Sequence, residues 1–405
     1  MRTTVAISLA VILVPYAADA AAETKTETIT IAGEEYTVIP DQVMRKLGFT
    51  VLDLLPEENA APLYREAMEA YSWPREDELS DIRESVVEGR WTEASGPLSK
   101  YLKENEAVLP IVEKAVGRPD CRFPFLLRPG EGLAKHSLEL LDFAHLPGMV
   151  ELIYLLIVQG KKLEFDERSI DALETYLTAL RVGTHLSRNG MLIDLRHGVV
   201  CNWMVMDAIE RCILRHEIDE NTLATTQASV ARISGKRPDL VRAWRNEHVW
   251  TMEMAALSAE PEQFRRDAAA RGERTLKQLQ MPLPEYLKHD TGFEMDVYPI
   301  HGARIAFDGR DKLRWTVLDH LFALARYQLR HGKYAKDLDA LKPLLLSDGL
   351  DPFSGERLNY RLEKDGSFTI WSIGEDGEDN DGTPGKTPND FIATDIVWNS
   401  RLLLQ

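Results

Sequence analysis

The region from residue 133 to residue 233 restricts the fold more than any other part of this chain. It is a near-continuous succession of helix-period apolar stripes joined by short polar connections. The first stripe (133–160) runs through Leu140, Leu141, Met149, Leu152, Leu155 and Leu156, with Pro147 as an interruption. Asp166 predicts a cap for a second helix over 167–188, in which Ile170, Leu173, Leu177 and Leu180 share a face. A third helix is expected over 191–216, and Asp219 caps a fourth over 220–233. Helices joined this closely pack as antiparallel neighbours, so the expectation is an irregular helical bundle or a short solenoid. The lack of a fixed repeat period argues against a tandem array.

The flanks read differently. Residues 27–40 alternate β-branched and polar side chains around Gly33, the pattern of a hairpin or edge strand. Asn59 is placed to cap a helix over 60–71 with Leu63, Ala67 and Ala70 on one face, and 91–116 reads as one further helix. A helix is expected over 238–273, with Trp244, Val249, Trp250 and Met254 as core candidates, and Trp73, Trp91 and Trp203 also read as core. Pro282, Pro284, Gly292 and Pro299 make 281–309 an irregular connection. Beyond it, 311–330 reads as a helix stopped by Gly332. Two strands follow, 358–362 and 367–373, around a Lys364-Asp365-Gly366 turn, and 395–398 closes as another. The predicted organisation is therefore a strand and linker region (23–56), a helical domain (57–280), a connection (281–309) and a small α+β domain (310–405), a helix on a short antiparallel sheet.

Met1 to Ala22 has the form of a cleavable secretory signal. Arg2 precedes an apolar stretch from Val5 to Ala18, and Ala18-Asp19-Ala20 and Ala20-Ala21-Ala22 supply small-x-small cleavage sites. A span needs roughly 20 apolar residues, and no later stretch approaches that, so no transmembrane span is expected after cleavage. The chain is predicted to be exported: periplasmic, cell-surface or extracellular. A net charge of −17 is the wrong sign for nucleic acid or for an anionic membrane. Cys121, Cys201 and Cys212 are an odd number. The last two share a predicted helix roughly 16 Å apart, beyond disulfide reach. A bridge would have to use Cys121; otherwise all three are small buried apolar side chains.

The acids concentrate near the end. From Asp365 to Asp395 there are eight acids and one base, Lys386, a net −7 out of −17. The loop 374–394 lies between strand-like stretches, so its carboxylates are held close, and a hard oxygen-seeking cation would relieve their repulsion. A solvated acidic surface is the alternative. The loop is not an EF-hand: with Asp379-Asn380-Asp381-Gly382 in register, Gly377 and Pro388 fall where Asp and Glu are required.

Four pieces then fall in a familiar order: Asp351-Pro352-Phe353-Ser354-Gly355, Leu358-Asn359-Tyr360, Ile370 through Gly377 (IWSIGEDG), and Asp395-Ile396 before Trp398. This order resembles the globular domain of the major pseudopilin of type II secretion systems, with 313–341 similar to its helix and Tyr-containing loop. The resemblance implies one calcium ion. Asp376 would be a side-chain ligand, the Ile373 carbonyl a backbone ligand, and Asp379, Asp381 or Asp390 a second carboxylate, with Asp381 favoured beside Gly382. Asp395 would ligate or cap the loop. A pseudopilin begins with a basic leader, a Gly-Phe cleavage site and a long apolar assembly helix. This chain has a conventional signal instead, so it is not expected to be a filament subunit. The helical part, with Asn59-Ala60-Ala61, Tyr64 and Ala67, then Arg118 through Pro124 (RPDCRFP), resembles exported bacterial proteins of unknown function, many of which end in the same module.

Catalytic signatures are sparse. Neither a Gly-x-Ser-x-Gly elbow nor a His-Glu-x-x-His helix occurs. His197 and Cys201 are one helical turn apart but are only two ligands, and His185 and His216 read as partners of helix C-termini. The expected function is a structural or protein-binding component with a protein partner in the envelope. The alternative is a secreted, glycosidase-like hydrolase using a groove of the helical domain.

Overall fold

The computed structural model describes residues 27–74, 96–128, 141–254, 260–288, 300–384 and 395–404. The signal segment, Trp91 and Asp390 lie outside them. Strands β1 (Glu27–Ile31) and β2 (Glu34–Ile39) form the expected hairpin, its two central residues Ala32 and Gly33 both at positive φ (49° and 85°), as in a type I′ turn. Strands β3 (Phe125–Leu127) and β4 (Leu141–Asp142) extend it to an antiparallel sheet in the order β1-β2-β3-β4.

Helix α1 (Asp41–Lys46) follows the hairpin, and α2 (Ala61–Ala70) begins at a clamp made by Asn59. The Asn59 Oδ1 accepts from the amides of Ala61 (3.1 Å) and Arg122 (2.8 Å), tying the helix start to the chain that enters β3. The clamp rotates the buried face to Ala61, Tyr64, Ala67 and Met68, leaving Ala70 exposed, contrary to the expected stripe. Over its described part, 96–116, the single helix expected over 91–116 is instead α3 (Gly96–Glu104), a 3-10 turn, and α4 (Leu109–Val116). Asn105 makes the break. It turns inward to bond both backbone groups of Ser72 (2.8 and 3.2 Å), and Pro110 starts the second piece, where a missing N–H costs nothing.

The centre is α5 (His145–Phe165), α6 (Ser169–Ser187) and α7 (Leu192–Arg215), packed on one another. The helix expected over 133–160 begins only at His145, after Leu141 in β4, so Pro147 falls in its first turn and does not interrupt it. Asp166 ends α5, paired with Lys162, and does not start α6; Glu167 makes the turn at φ 60°, so Ile170 falls on the exposed side. Two close approaches are set by glycine. A Cβ at Gly160 would lie 2.2 Å from the Tyr176 ring, and one at Gly198 would lie 2.4 Å from the Ser187 backbone nitrogen and 2.5 Å from the Gly183 carbonyl. Asp219 caps α8 (Glu220–Ser234) through the Thr222 amide at 3.0 Å, as expected.

The helix expected over 238–273 is divided into α9 (Leu240–Met254) and α10 (Pro261–Gln280), which pack together. Of the tryptophans, Trp244 is buried, Trp203 and Trp250 are half-buried, and Trp73 is 44% exposed. The described parts of the connection, 281–288 and 300–309, carry helices where the prolines suggest irregular chain. Helix α11 (Leu283–Lys288) is followed by α12 (Ile300–Arg304), which winds as a π-helix over Ile305–Asp311 straight into α13 (Lys312–His331). Arg304 explains the continuity. Buried to 2% exposure, it donates to the carbonyls of Gln278 and Met281 (2.8 Å to the latter) and lies over the Tyr286 ring at 4.8 Å. Gly332, at φ 70°, stops α13 as expected.

Strands β5 (Asn359–Leu362), β6 (Phe368–Ser372) and β7 (Ile396–Asn399) form the second antiparallel sheet in that order, followed by the short α14 (Ser400–Leu404). The fold is thus mostly helical with two small antiparallel sheets. One apolar core runs from Ile31 and Tyr64 through α5–α8 to Val317, Leu321, Phe368 and Trp398. All three cysteines are buried and free. Among the described residues no helix is long and apolar enough to cross a membrane.

Candidate functional site

The acidic loop leaves the end of β6, and one buried carboxylate organises its root. Asp351, 1% exposed, accepts from the Phe353 amide (3.0 Å), the Ser372 hydroxyl (2.9 Å) and the Ile373 amide (3.4 Å). Burial raises its carboxyl above the ordinary range. The Ser372 hydroxyl in turn accepts from the Gly374 amide at 3.1 Å. The Asp-Pro turn is thereby stapled to the strand from which the loop departs.

Positive φ at Gly374, Gly377, Asp381 and Gly382 (69°, 71°, 56° and 71°) folds the loop back on itself. The predicted ligands occupy distinct places along it. Asp376 is exposed and accepts the Glu378 amide at 3.1 Å. Asp379 accepts from the Trp371 indole and the Asp381 amide, both at 3.0 Å. Asp381 pairs with Arg361 at 3.0 Å, and the guanidinium lies over the Trp371 ring at 5.4 Å. Asp395, 3% exposed, accepts from the Asn380 amide (3.3 Å) on one oxygen and the Gly382 amide (2.8 Å) on the other, which is a cap. Ile373 joins the loop to Asp351 through its amide. Glu375, outside the predicted set, pairs with Arg310 at the start of the C-terminal segment. The donor set is all oxygen, as a hard cation requires. Among the described residues no three of these carboxylates have oxygens within 4.8 Å of one another.

Other polar groups come together only in the fold. His145 Nε2 lies 2.7 Å from Asp194 Oδ1, and Asn189 donates to the other Asp194 oxygen at 2.9 Å. The His145 ring stacks on Phe123 at 4.4 Å. This set joins the starts of α5 and α7 to the chain before β3. Cys121 lies close by, and burial pushes its thiol far above the range of a nucleophile. The place of His185 near a helix C-terminus predicts a partner for the helix dipole. The side chain is buried against the Tyr64 hydroxyl (2.9 Å), and burial lowers it to about 3, so the imidazole is neutral. His197 is half-buried and bonded to the Ile193 carbonyl at 2.8 Å, whereas Cys201 is buried.

Between α7 and α13, Arg314 pairs with Asp207 at 2.6 Å and lies over Trp203 at 5.6 Å. Burial and the charge of Asp207 push the neighbouring Glu210 up to about 8; burial takes Asp311 to about 6. A surface groove of about 710 Å³ is lined by Glu113, Leu156, Asp171, Glu174 and Arg181. Its Asp171 is paired with Arg168 at 2.7 Å.

A further set was missed in the sequence: Glu164, Cys212 and His216 converge, each offering a ligand atom within 4.8 Å of the others. The four-residue spacing of Cys212 and His216 was a legible signal, but nothing local indicates a glutamate from another helix. No protein-family model, curated protein or solved structure matches this chain.

Proposed function

We propose that the chain is an exported structural or protein-binding component whose C-terminal segment, 310–405, is a pseudopilin-like module stabilised by calcium, and that it is not itself a filament subunit. One observation supports this above the rest. A long helix, α13, shares its core with a three-stranded antiparallel sheet, and a carboxylate-rich loop with glycine turns is stapled at both ends, by Asp351 to β6 and by Asp395 to its own backbone. Such a loop is rigid at its base and still exposes Asp376, Asp379 and Asp381 to a cation. Calcium would add oxygen coordination where same-sign charge is densest. Asp395, both oxygens bonded to amides, belongs to the frame around the ion.

The test is thermal melting of the mature full-length chain in calcium and in chelator, beside Asp376→Ala. Calcium at about 100 times its Kd stabilises by roughly 2.7 kcal/mol, a midpoint rise of a few degrees in a chain of this size. A rise present in the wild type and absent in Asp376→Ala is expected. Equal midpoints at millimolar calcium would refute the metal and reduce the loop to a solvated acidic surface.

A further inference from the structure

Glu164 is in the last turn of α5, Cys212 in the last turn of α7, and His216 one turn beyond Cys212, at the residue that ends α7. A separation of four residues puts Cys212 and His216 on the same side of the helix, and the packing of α5 on α7 brings the carboxylate to them. His216 Nε2 lies 2.9 Å from Glu164 Oε2, and the Cys212 sulfur lies within 4.8 Å of both partners. The Tyr176 hydroxyl donates to the other oxygen of Glu164 and so fixes the carboxylate plane from α6. Cys212 is buried, while Glu164 and His216 are 16% and 29% exposed in their side chains, so the group has a closed floor and one face open to water.

We propose that Glu164, Cys212 and His216 bind a divalent cation of the zinc class, with water in the fourth position. The donor set is one soft sulfur, one imidazole nitrogen and one carboxylate oxygen, which suits zinc and not calcium or magnesium. Metal–ligand bonds of about 2.0–2.3 Å in a tetrahedron place ligand atoms roughly 3.3–3.7 Å apart. The 2.9 Å pair must open by about half an ångström and the sulfur must approach by at most about one, movements that side-chain torsions supply. Tyr176 is then the outer partner that orients a ligating carboxylate. Coordination takes the cysteine as thiolate, its proton passing to solvent. The ion would join the ends of α5 and α7 beside the first residues of α6. A plain Glu164–His216 ion pair beside an inert thiol is the competing account.

Cobalt(II) titration of the metal-stripped, mature full-length chain separates the two. Expected is saturation at one equivalent, with a near-ultraviolet thiolate-to-metal charge-transfer band and strong visible bands of a tetrahedral centre. Zinc displaces both sets of bands, and millimolar calcium displaces neither, which keeps this site distinct from the acidic loop. Cys212→Ser should abolish the charge-transfer band, and His216→Gln should weaken binding at least about tenfold; Cys121→Ser and Cys201→Ser should change neither. Far-ultraviolet circular dichroism checks that each variant is folded, and His216→Gln alone suffices if Cys212→Ser does not fold. No charge-transfer band in the wild type, a band that survives Cys212→Ser, or unchanged affinity in folded His216→Gln would overturn the proposal.

Discussion

Asp351 is a single side chain that joins two elements: the Asp-Pro turn and the strand that launches the acidic loop. Its carboxylate meets a buried hydroxyl and two amides, and removing it leaves those donors without an acceptor. Unsatisfied buried donors cost about 1–3 kcal/mol each. Asp351→Ala should therefore destabilise by about 2–4 kcal/mol, read as a lower urea midpoint at unchanged slope, and Asp351→Asn should lose less because one acceptor remains. The importance of the Asp-Pro turn was visible in the residues; its bond to Ser372 was not, because the partners are separated by twenty-one positions. Histidines teach the same lesson. Position near a helix end suggested one role for His185 and His216, yet burial leaves the first neutral and a glutamate from α5 claims the second.

At the scale of the element, patterns of period and capping predicted existence well and boundaries less well. Asp219 and Gly332 end or begin helices where their chemistry says they should. Asp166 failed as a start because Glu167 adopts a positive φ, and α6 begins only after Arg168, with no side-chain cap. Asn105 broke a helix that periodicity read as continuous, since its amide satisfies backbone groups on another segment. The α6–α7 contact depends on Gly183 and Gly198. A methyl group at Gly198 would press on backbone of α6, which cannot rotate away as a side chain can. Gly198→Ala should cost about 1–3 kcal/mol despite the higher helix propensity of alanine, and a lower melting midpoint would register it. A midpoint at or above the wild-type value would mean that the two helices slide apart freely.

Across the whole molecule, buried carboxyls between the helical layer and α13 give stability a pH dependence. Glu210 keeps its proton in the folded chain up to about 8, whereas an unfolded glutamate loses it near 4.5. Over that interval the native state holds the extra proton, so stability falls as pH rises from about 4.5 to about 8. Glu247, raised to about 7, and Asp311, raised to about 6, act in the same direction, and Lys161, lowered to about 7, adds stability only as pH climbs beyond that. Glu210→Gln should flatten the profile: little change at pH 5 and a gain on the order of 1–3 kcal/mol at pH 8. Parallel wild-type and variant profiles would show that Glu210 is ionised in the fold.

What the sequence by itself determined is local. Periodicity set the helices of the central region and the hairpin. Glycines, prolines and short acidic side chains set many of their ends, and two short apolar runs around the Lys364-Asp365-Gly366 turn set the hairpin of the second sheet. These follow from interactions within a few positions, which one-dimensional pattern records. Only the tertiary structure decided that α13 shares one core with the helical region, that Arg304 binds the end of α10, and that Glu164 meets Cys212 and His216. Each joins residues distant along the chain, and their meeting depends on how helices cross, a property that packing settles and local pattern does not contain.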